Sequence, residues 1–218
     1  MLEEVLKDGY GFDGSSCYFC SVEDSDLIAV PDPATRMEFE GNVLFICDVY
    51  KAGERYKLDT RWALERVLSR LAEHGLGVLC GVEMEFYVLS RSSEIRTMDP
   101  WRYMEPSFNH EAGELLSGLA MAVENSGLEV VFYHHEAGPG QYEITLEKTD
   151  PRELADKILL FKWAAKSYVA RRGLLATFMP KPFIDKAGSG MHLHFSLWSN
   201  GEDIMGPGGD RSAGLKML

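Results

Sequence analysis

Positive charge is in short supply in this 218-residue sequence: 22 Lys and Arg stand against 34 Asp and Glu, a net charge of −12. That balance repels a phosphate backbone, which argues against a nucleic-acid partner and leaves carboxylates available for cations. Long apolar runs are missing too. None approaches the roughly 20 residues needed to span a bilayer, and no secretory leader precedes Leu2, so a cytoplasmic protein with no membrane partner is expected. Cysteine is sparse: Cys17-Tyr-Phe-Cys20 is a lone CxxC without the second pair of a zinc site, and Cys47 and Cys80 stand singly in apolar runs. Loop or buried thiols are the expectation. There is also no G-x-x-x-x-G-K-[ST] loop, so the phosphates of any bound nucleotide would be held by metal ions and basic side chains.

What the chain does contain is acids and imidazoles inside strand-like apolar stretches. From Lys181 to Ser196, a bend with Gly188 and Gly190 feeds a short strand in which His192 and His194 share one face, because side chains alternate along extended chain. Met191, Leu193 and Phe195 are expected to take the other, core-facing side. In Gly81–Leu89, Val82, Met84 and Phe86 point one way, and Glu83 and Glu85 the other. Two like charges so close raise each other's pKa and are costly to desolvate unless a cation lies between them. The pattern recurs where Glu136 ends one predicted strand and Glu143 lies in the next, with Ala137-Gly-Pro-Gly140 as the turn. An oxygen-rich site of this kind suits Mg²⁺ or Mn²⁺ better than zinc.

Along the chain, residues 1–56 read as a strand-rich module, with Leu27–Val30 and Val43–Cys47 as short strands around the turn signal Pro31-Asp-Pro33. A helix is predicted from Asp59 to His74, with Leu64, Val67, Leu68 and Leu71 as its apolar stripe and Gly75 as its stop. Strand Val78–Leu89, a polar loop over 90–110, helix Glu111–Ser126 and strand Leu128–Tyr133 follow. Asp150-Pro-Arg-Glu153 starts a third helix with Leu154, Ile158, Phe161 and Ala165 inward, Leu174–Phe178 returns as a strand, and Ala213–Leu218 reads as the beginning of another helix. Helices on one side of a mostly antiparallel sheet, with acids and histidines on the other, define an α+β fold.

Four segments together resemble glutamine synthetase, in the type I form of bacteria and archaea: Phe12-Asp-Gly-Ser-Ser16, Glu83-Met-Glu85, His134-His-Glu136 through Gln141-Tyr-Glu143, and Lys181 through Ser196. The resemblance implies the remainder of a β-grasp N-terminal domain over 1–56 and the N-terminal portion of the catalytic domain over 57–218. It implies an ATP-dependent ligase that phosphorylates the γ-carboxylate of glutamate, after which ammonia displaces phosphate to give glutamine. By that resemblance, Glu85, Glu136 and Glu143 ligate one metal, and Glu83 and His192 the other. His194 and Ser196 contact the nucleotide, and Gly188 offers backbone to the substrate amino acid. Tyr103 is the substrate-proximal tyrosine. Asp13 binds or deprotonates ammonium in the neighbouring subunit of a ring-shaped homo-oligomer, and Ser16 supports its loop.

The sequence departs from that family at several points. Val131 stands where a nucleotide-contacting glutamate is usual, Lys148 where an aromatic lies near the adenine, and Ala187 where an asparagine binds substrate. The loop after Ser16 is one residue short and lacks its glycine. The family's chain is also longer, and the resemblance puts a further glutamate ligand, the transition-state arginines and the flap glutamate beyond Leu218, so these 218 residues alone are expected to be inactive. Three readings follow: part of a glutamine synthetase or of a γ-glutamyl ligase for another amine; a catalytically silent paralogue serving as a metal-binding or assembly subunit; and a metal-dependent hydrolase needing no ATP.

Overall fold

The structure, a computed structural model, describes residues 2–91, 96–100, 102–105 and 111–206, so the predicted helix over 213–218 lies outside the described residues. Two units are distinguished, Met1–Val78 with Leu197–Leu218, and Leu79–Ser196. In the first, α1 (Leu2–Asp8) leads into β1 (Tyr10–Asp13), β2 (Asp26–Pro31), β3 (Met37–Phe39), β4 (Asn42–Leu44), β5 (Cys47–Lys51), β6 (Glu54–Arg55) and α2 (Thr60–Glu73). Antiparallel pairing gives the order β1-β2-β5-β6, with β3 and β4 as a separate hairpin. Leu27, Met37 and Phe39 are its most buried side chains.

Two expectations for this unit are corrected. Val43–Cys47 is not one strand, because the backbone of Ile46 is engaged elsewhere: its amide donates to the Thr35 hydroxyl at 2.8 Å and its carbonyl accepts from Asp32 at 2.8 Å. The chain therefore bends between β4 and β5. Helix α2 is capped as predicted, with Asp59 accepting from the Arg61 amide at 2.9 Å and Gly75 at φ +71°. Its apolar stripe, however, is only half-buried and Val67 is 55% exposed; the buried residue is Arg61. The Arg61 guanidinium pairs with Asp32 at 2.6 Å and Asp48 at 2.5 Å, and Arg55 pairs with Asp48 at 3.0 Å and Asp59 at 3.2 Å. Ionic contacts, in place of an apolar face, hold α2 to β5.

The second unit takes up most of β7 (Leu76–Ser90), then α3 (Glu111–Glu124), β8 (Val130–His135), β9 (Gln141–Thr149), α4 (Pro151–Ala170), β10 (Leu174–Thr177) and most of β11 (Met191–Ser199), whose end pairs with β12 (Glu202–Asp203). The strand order is β11-β7-β9-β8, with β10 also on β7. Alternation along β7 puts Val82, Met84, Phe86 and Val88 at 0–1% exposure. The Phe86 ring meets Phe161 of α4 edge-on at 6.2 Å. Leu116, Leu119, Ala120 and Val123 of α3 and Leu154, Phe161, Ala164 and Ala165 of α4 are buried, while the predicted Ile158 is half-buried. Asp150 caps α4 by accepting from Arg152 and Glu153 at 2.9 and 3.4 Å.

One strand differs from expectation on its apolar side. Met191, Leu193 and Phe195 are 46%, 54% and 60% exposed and do not enter the core. Helices α3 and α4 pack chiefly on β8, β9 and β10, whereas β11 lies on the far side of β7 from β9, where the Lys162 ammonium of α4 is 3.7 Å from the Met191 sulfur. Alternation assigns side chains to two faces; which face is covered depends on where the helices land.

Candidate metal centre

The face of the sheet away from α3 and α4 collects the acids. Register places Glu85 opposite Glu143 and Glu143 opposite His134, a row across β7, β9 and β8. Directly opposed side chains sit roughly 4.5–5.5 Å apart at Cβ, so three polar groups share one patch. Glu136, expected at the end of β8, follows immediately after it, and its amide donates a hydrogen bond to the Gln141 carbonyl at 2.7 Å. Among the described residues two groups of ligand-type atoms result, each within 4.8 Å: Glu83, Glu143 and His192, and His134, Glu136 and Glu143. His134 Nε2 lies 3.2 Å from Glu143 and its Nδ1 3.7 Å from Glu136, while His192 Nδ1 is 3.3 Å and His194 Nε2 3.1 Å from Glu83.

Glu85 faces the same patch but is held by neutral donors. One oxygen accepts from the Gly190 amide at 3.1 Å and the Gln141 side chain at 3.0 Å; the other is 3.9 Å from His192 Nε2. A side chain at Gly190 could not fit without moving these groups, since a Cβ would stand 2.8 Å from His192 Nε2 and 3.1 Å from Glu85. Gln141 is fully buried, and its amide also donates to the Gly188 carbonyl at 2.9 Å. It therefore ties the acidic strand to the glycine bend. The other end of that bend is pinned by the Tyr87 hydroxyl, which donates to the carbonyl of Ala187 at 2.8 Å.

The remaining predicted residues are placed as follows. Tyr103 is 59% exposed, its ring perpendicular to His134 at 5.5 Å, and Phe132 flanks the same imidazole at 5.2 Å. Ser196 lies on β11, two positions beyond His194, and is half-buried. Asp13 and Ser16 belong to the other unit. There Asp13 accepts from the Ser15 hydroxyl and amide, at 2.6 and 2.9 Å, and from the Ser16 hydroxyl at 2.9 Å. Those donors, the Ser15 hydroxyl foremost, pull its carboxyl down to about 2. Sequence reasoning passed over His134 and Gln141 as site residues. His134 was within reach, being two positions from Glu136 on one face, the rule that singled out Glu83 and Glu85. Gln141 was not, because its partners Glu85 and Gly188 are 56 and 47 residues away.

Electrostatics agree with a cation-binding role. Burial pushes the Glu143 carboxyl up, and although His134 pulls it down, the charges of Glu83 and Glu136 add to the rise. A cation among these oxygens would reverse each of those penalties. The donors, carboxylate oxygens with one imidazole per group, fit a hard divalent ion of the Mg²⁺ or Mn²⁺ kind.

Residues 57–216 match the family model described as glutamine synthetase, catalytic domain, and residues 1–52 match that for the glutamine synthetase beta-Grasp domain. The chain belongs to the glutamine synthetase family. Among curated proteins it is 39% identical over 208 residues to the glutamine synthetase of Pyrococcus abyssi, covering 93% of this chain and 47% of that one. It is 35% identical over 214 residues to the glutamine synthetase of Methanocaldococcus jannaschii, covering 92% and 47%. Solved structures agree with the fold. GmaS without ligand superposes with a TM-score of 0.85 at 28% identity, covering 94% of this chain and 51% of that one, and glutamine synthetase of Plasmodium falciparum with 0.78 at 25%, covering 94% and 47%. The chain spans about half the length of the glutamine synthetases it matches. The described residues contain no helix long and apolar enough to cross a membrane.

Proposed function

We propose that this chain is part of an ATP-dependent ligase that joins glutamate to ammonia through γ-glutamyl phosphate, and that it carries the divalent-metal side of that site. The row Glu85–Glu143–His134, flanked by Glu83, His192 and Glu136, carries the reading. Glu83 and His192 would hold one Mg²⁺ or Mn²⁺ with Glu143 within reach, and Glu85, Glu136 and Glu143 the other, with His134 lying among the same ligand atoms. Bound metal supplies charge neutralisation at the transferring phosphoryl group.

The chain's own residues orient the reactants. His194 and Ser196 would meet the nucleotide, a reading supported by the likeness to a GmaS complex with ADP, which superposes with a TM-score of 0.86 at 27% identity. Backbone at Gly188, stiffened by Gln141, would receive the substrate amino acid, with Tyr103 beside it. A γ-carboxylate oxygen of glutamate attacks the terminal phosphorus, the bond to ADP breaks, and the nitrogen of ammonia then displaces phosphate from the acyl carbon. Asp13, a carboxylate that holds a proton poorly, is suited to binding ammonium, with Ser16 keeping it in place. In the proposed homo-oligomer it serves a neighbouring subunit.

A second reading replaces ammonia with another amine, while Val131 and Ala187, which stand where the family has a nucleotide-contacting glutamate and a substrate-binding asparagine, motivate a silent subunit instead. Phosphate release from ATP in the intact native protein decides between them. With glutamate and ammonia it is expected, and Glu143→Gln should lower it beyond the roughly 10–100-fold typical of outer-shell changes. Faster release with a larger primary amine selects the second reading. Metal binding without turnover selects a silent subunit, and turnover without ATP selects a hydrolase.

A further inference from the structure

Behind the hairpin that carries Glu136 and Glu143, on the helix-packed face of the sheet, lies a polar cluster that the proposed reaction does not use. Asp99, His135 and Tyr142 are 7%, 3% and 2% exposed. One Asp99 oxygen accepts from His135 Nε2 at 2.8 Å and from the Gly140 amide at 3.3 Å, and the other accepts from the Tyr142 hydroxyl. The second ring nitrogen of His135 faces the carbonyl of Glu136 at 2.6 Å, so both sides of the imidazole are held by oxygen. Its ring also stands edge-on to Tyr142 at 5.1 Å.

The carboxylate thus grips the end of β8, the turn and the start of β9 together. Its own segment is anchored to β7, with the Met98 amide donating to Val88 at 3.1 Å and Ser90 donating to Arg96 at 2.8 Å. His135 and Tyr142 are direct cross-strand partners, and the next pair in register is His134 and Glu143, on the opposite face. Side chains alternate strictly along a strand, so locking the first pair sets where the second pair's donors point. A buried carboxylate is costly unless it is hydrogen-bonded; here donors from the hairpin engage both of its oxygens.

We propose that Asp99 is a positioning residue for the His134–Glu136–Glu143 cluster, acting through His135 and Tyr142 from the far side of the sheet. This rests on the reading of that cluster as a metal site. It extends the site to a loop residue that contributes no ligand atom and contacts no reacting group. Outer-shell partners of this kind typically control affinity by about 10–100-fold.

The test is Mn²⁺ titration of the intact native protein, followed by calorimetry and by the electron paramagnetic resonance of bound Mn²⁺, for wild type, Asp99→Asn and Tyr142→Phe, with melting temperatures taken in EDTA. Asp99→Asn keeps the volume but cannot accept from all three donors at once. It should weaken Mn²⁺ binding about 10–100-fold and alter the bound-ion spectrum while the protein is still fully folded. If Asp99→Asn fails to fold, Tyr142→Phe, which removes one donor and keeps the ring, should weaken binding severalfold by itself. A merely structural carboxylate would lower the EDTA melting temperature and leave affinity and spectrum of the folded protein unchanged; that result overturns the role of Asp99. Absence of Mn²⁺ binding by the wild type overturns the metal reading itself and this inference with it.

Discussion

Gly190 shows how closely one residue is coupled to the candidate site. The atoms that an added Cβ would meet are side-chain ends, the exposed His192 imidazole at 2.8 Å and one Glu85 oxygen at 3.1 Å, so the fold should survive Gly190→Ala with the imidazole swung aside. We expect a loss of stability of about 1 kcal/mol, the centre of the range for single substitutions, with roughly tenfold weaker Mn²⁺ binding; wild-type affinity would show that His192 does not need its present position. Asp13 gives a pH prediction. Its folded pKa, about 2, lies below the ordinary 3.8. Its contribution to ordering the Asp13–Ser16 loop is therefore present above about 3.8 and disappears as pH falls towards about 2. A carboxyl-carbon NMR titration of Asp13 should show a midpoint near 2, and Ser15→Ala should move it upward. The paired glutamates on β7 were legible because alternation alone exposes them. The hydrogen bonds that depress Asp13 were not, since two serines beside an aspartate read equally well as an ordinary turn.

At the level of elements, α2 is instructive. Its sequence has an amphipathic period, yet its buried residue is an arginine clasped by Asp32 and Asp48. Removing the guanidinium costs less than the roughly 3–5 kcal/mol of a fully buried, uncompensated charge, because Arg55 still pairs with Asp48 at 3.0 Å, so Arg61→Ala should shift urea unfolding by about 2–3 kcal/mol. A shift below about 1 kcal/mol would mean that water replaces the guanidinium. The β8–β9 hairpin carries the opposite lesson. Its turn, its two strands and the acids on them could be read directly, but the pairing of β9 with β7, which brings Glu85 beside Glu143, joins segments far apart in the chain. Strand β11 failed on one count: its histidines lie on the expected face, while its apolar face remains open.

For the molecule as a whole, a cluster of close carboxylates in a chain of net charge −12 would make the proposed metal a stabilising ligand. At about 100 times its Kd, a divalent ion that binds only the folded state adds about 2.7 kcal/mol, or roughly 5–10 °C in melting temperature for a protein of this size. EDTA should reverse the shift, and Glu143→Gln should abolish most of it. A melting temperature indifferent to Mn²⁺ and EDTA would argue for a metal-free acidic network. The open apolar side of β11, at Met191, Leu193 and Phe195, is a second property at this scale. Residues 1–218 expressed alone should self-associate through it, and Leu193→Lys should reduce the sedimentation coefficient of the associated species.

Period-two alternation, glycine stops and helix caps are local, so the sequence alone was sufficient for α2, α3, α4 and the strands that carry the acids, and for the donor chemistry at Glu83, Glu85, Glu136, Glu143 and His192. Family membership followed from the same short segments. Contacts between distant segments needed the folded chain. Gln141 bridging Glu85 to Gly188, Asp99 reaching around to the back of the hairpin, and the uncovered face of β11 depend on strand register and on which strands the helices cover. Nothing in the residues on either side of a strand encodes those choices, because they arise from the packing of segments that meet only in the tertiary structure.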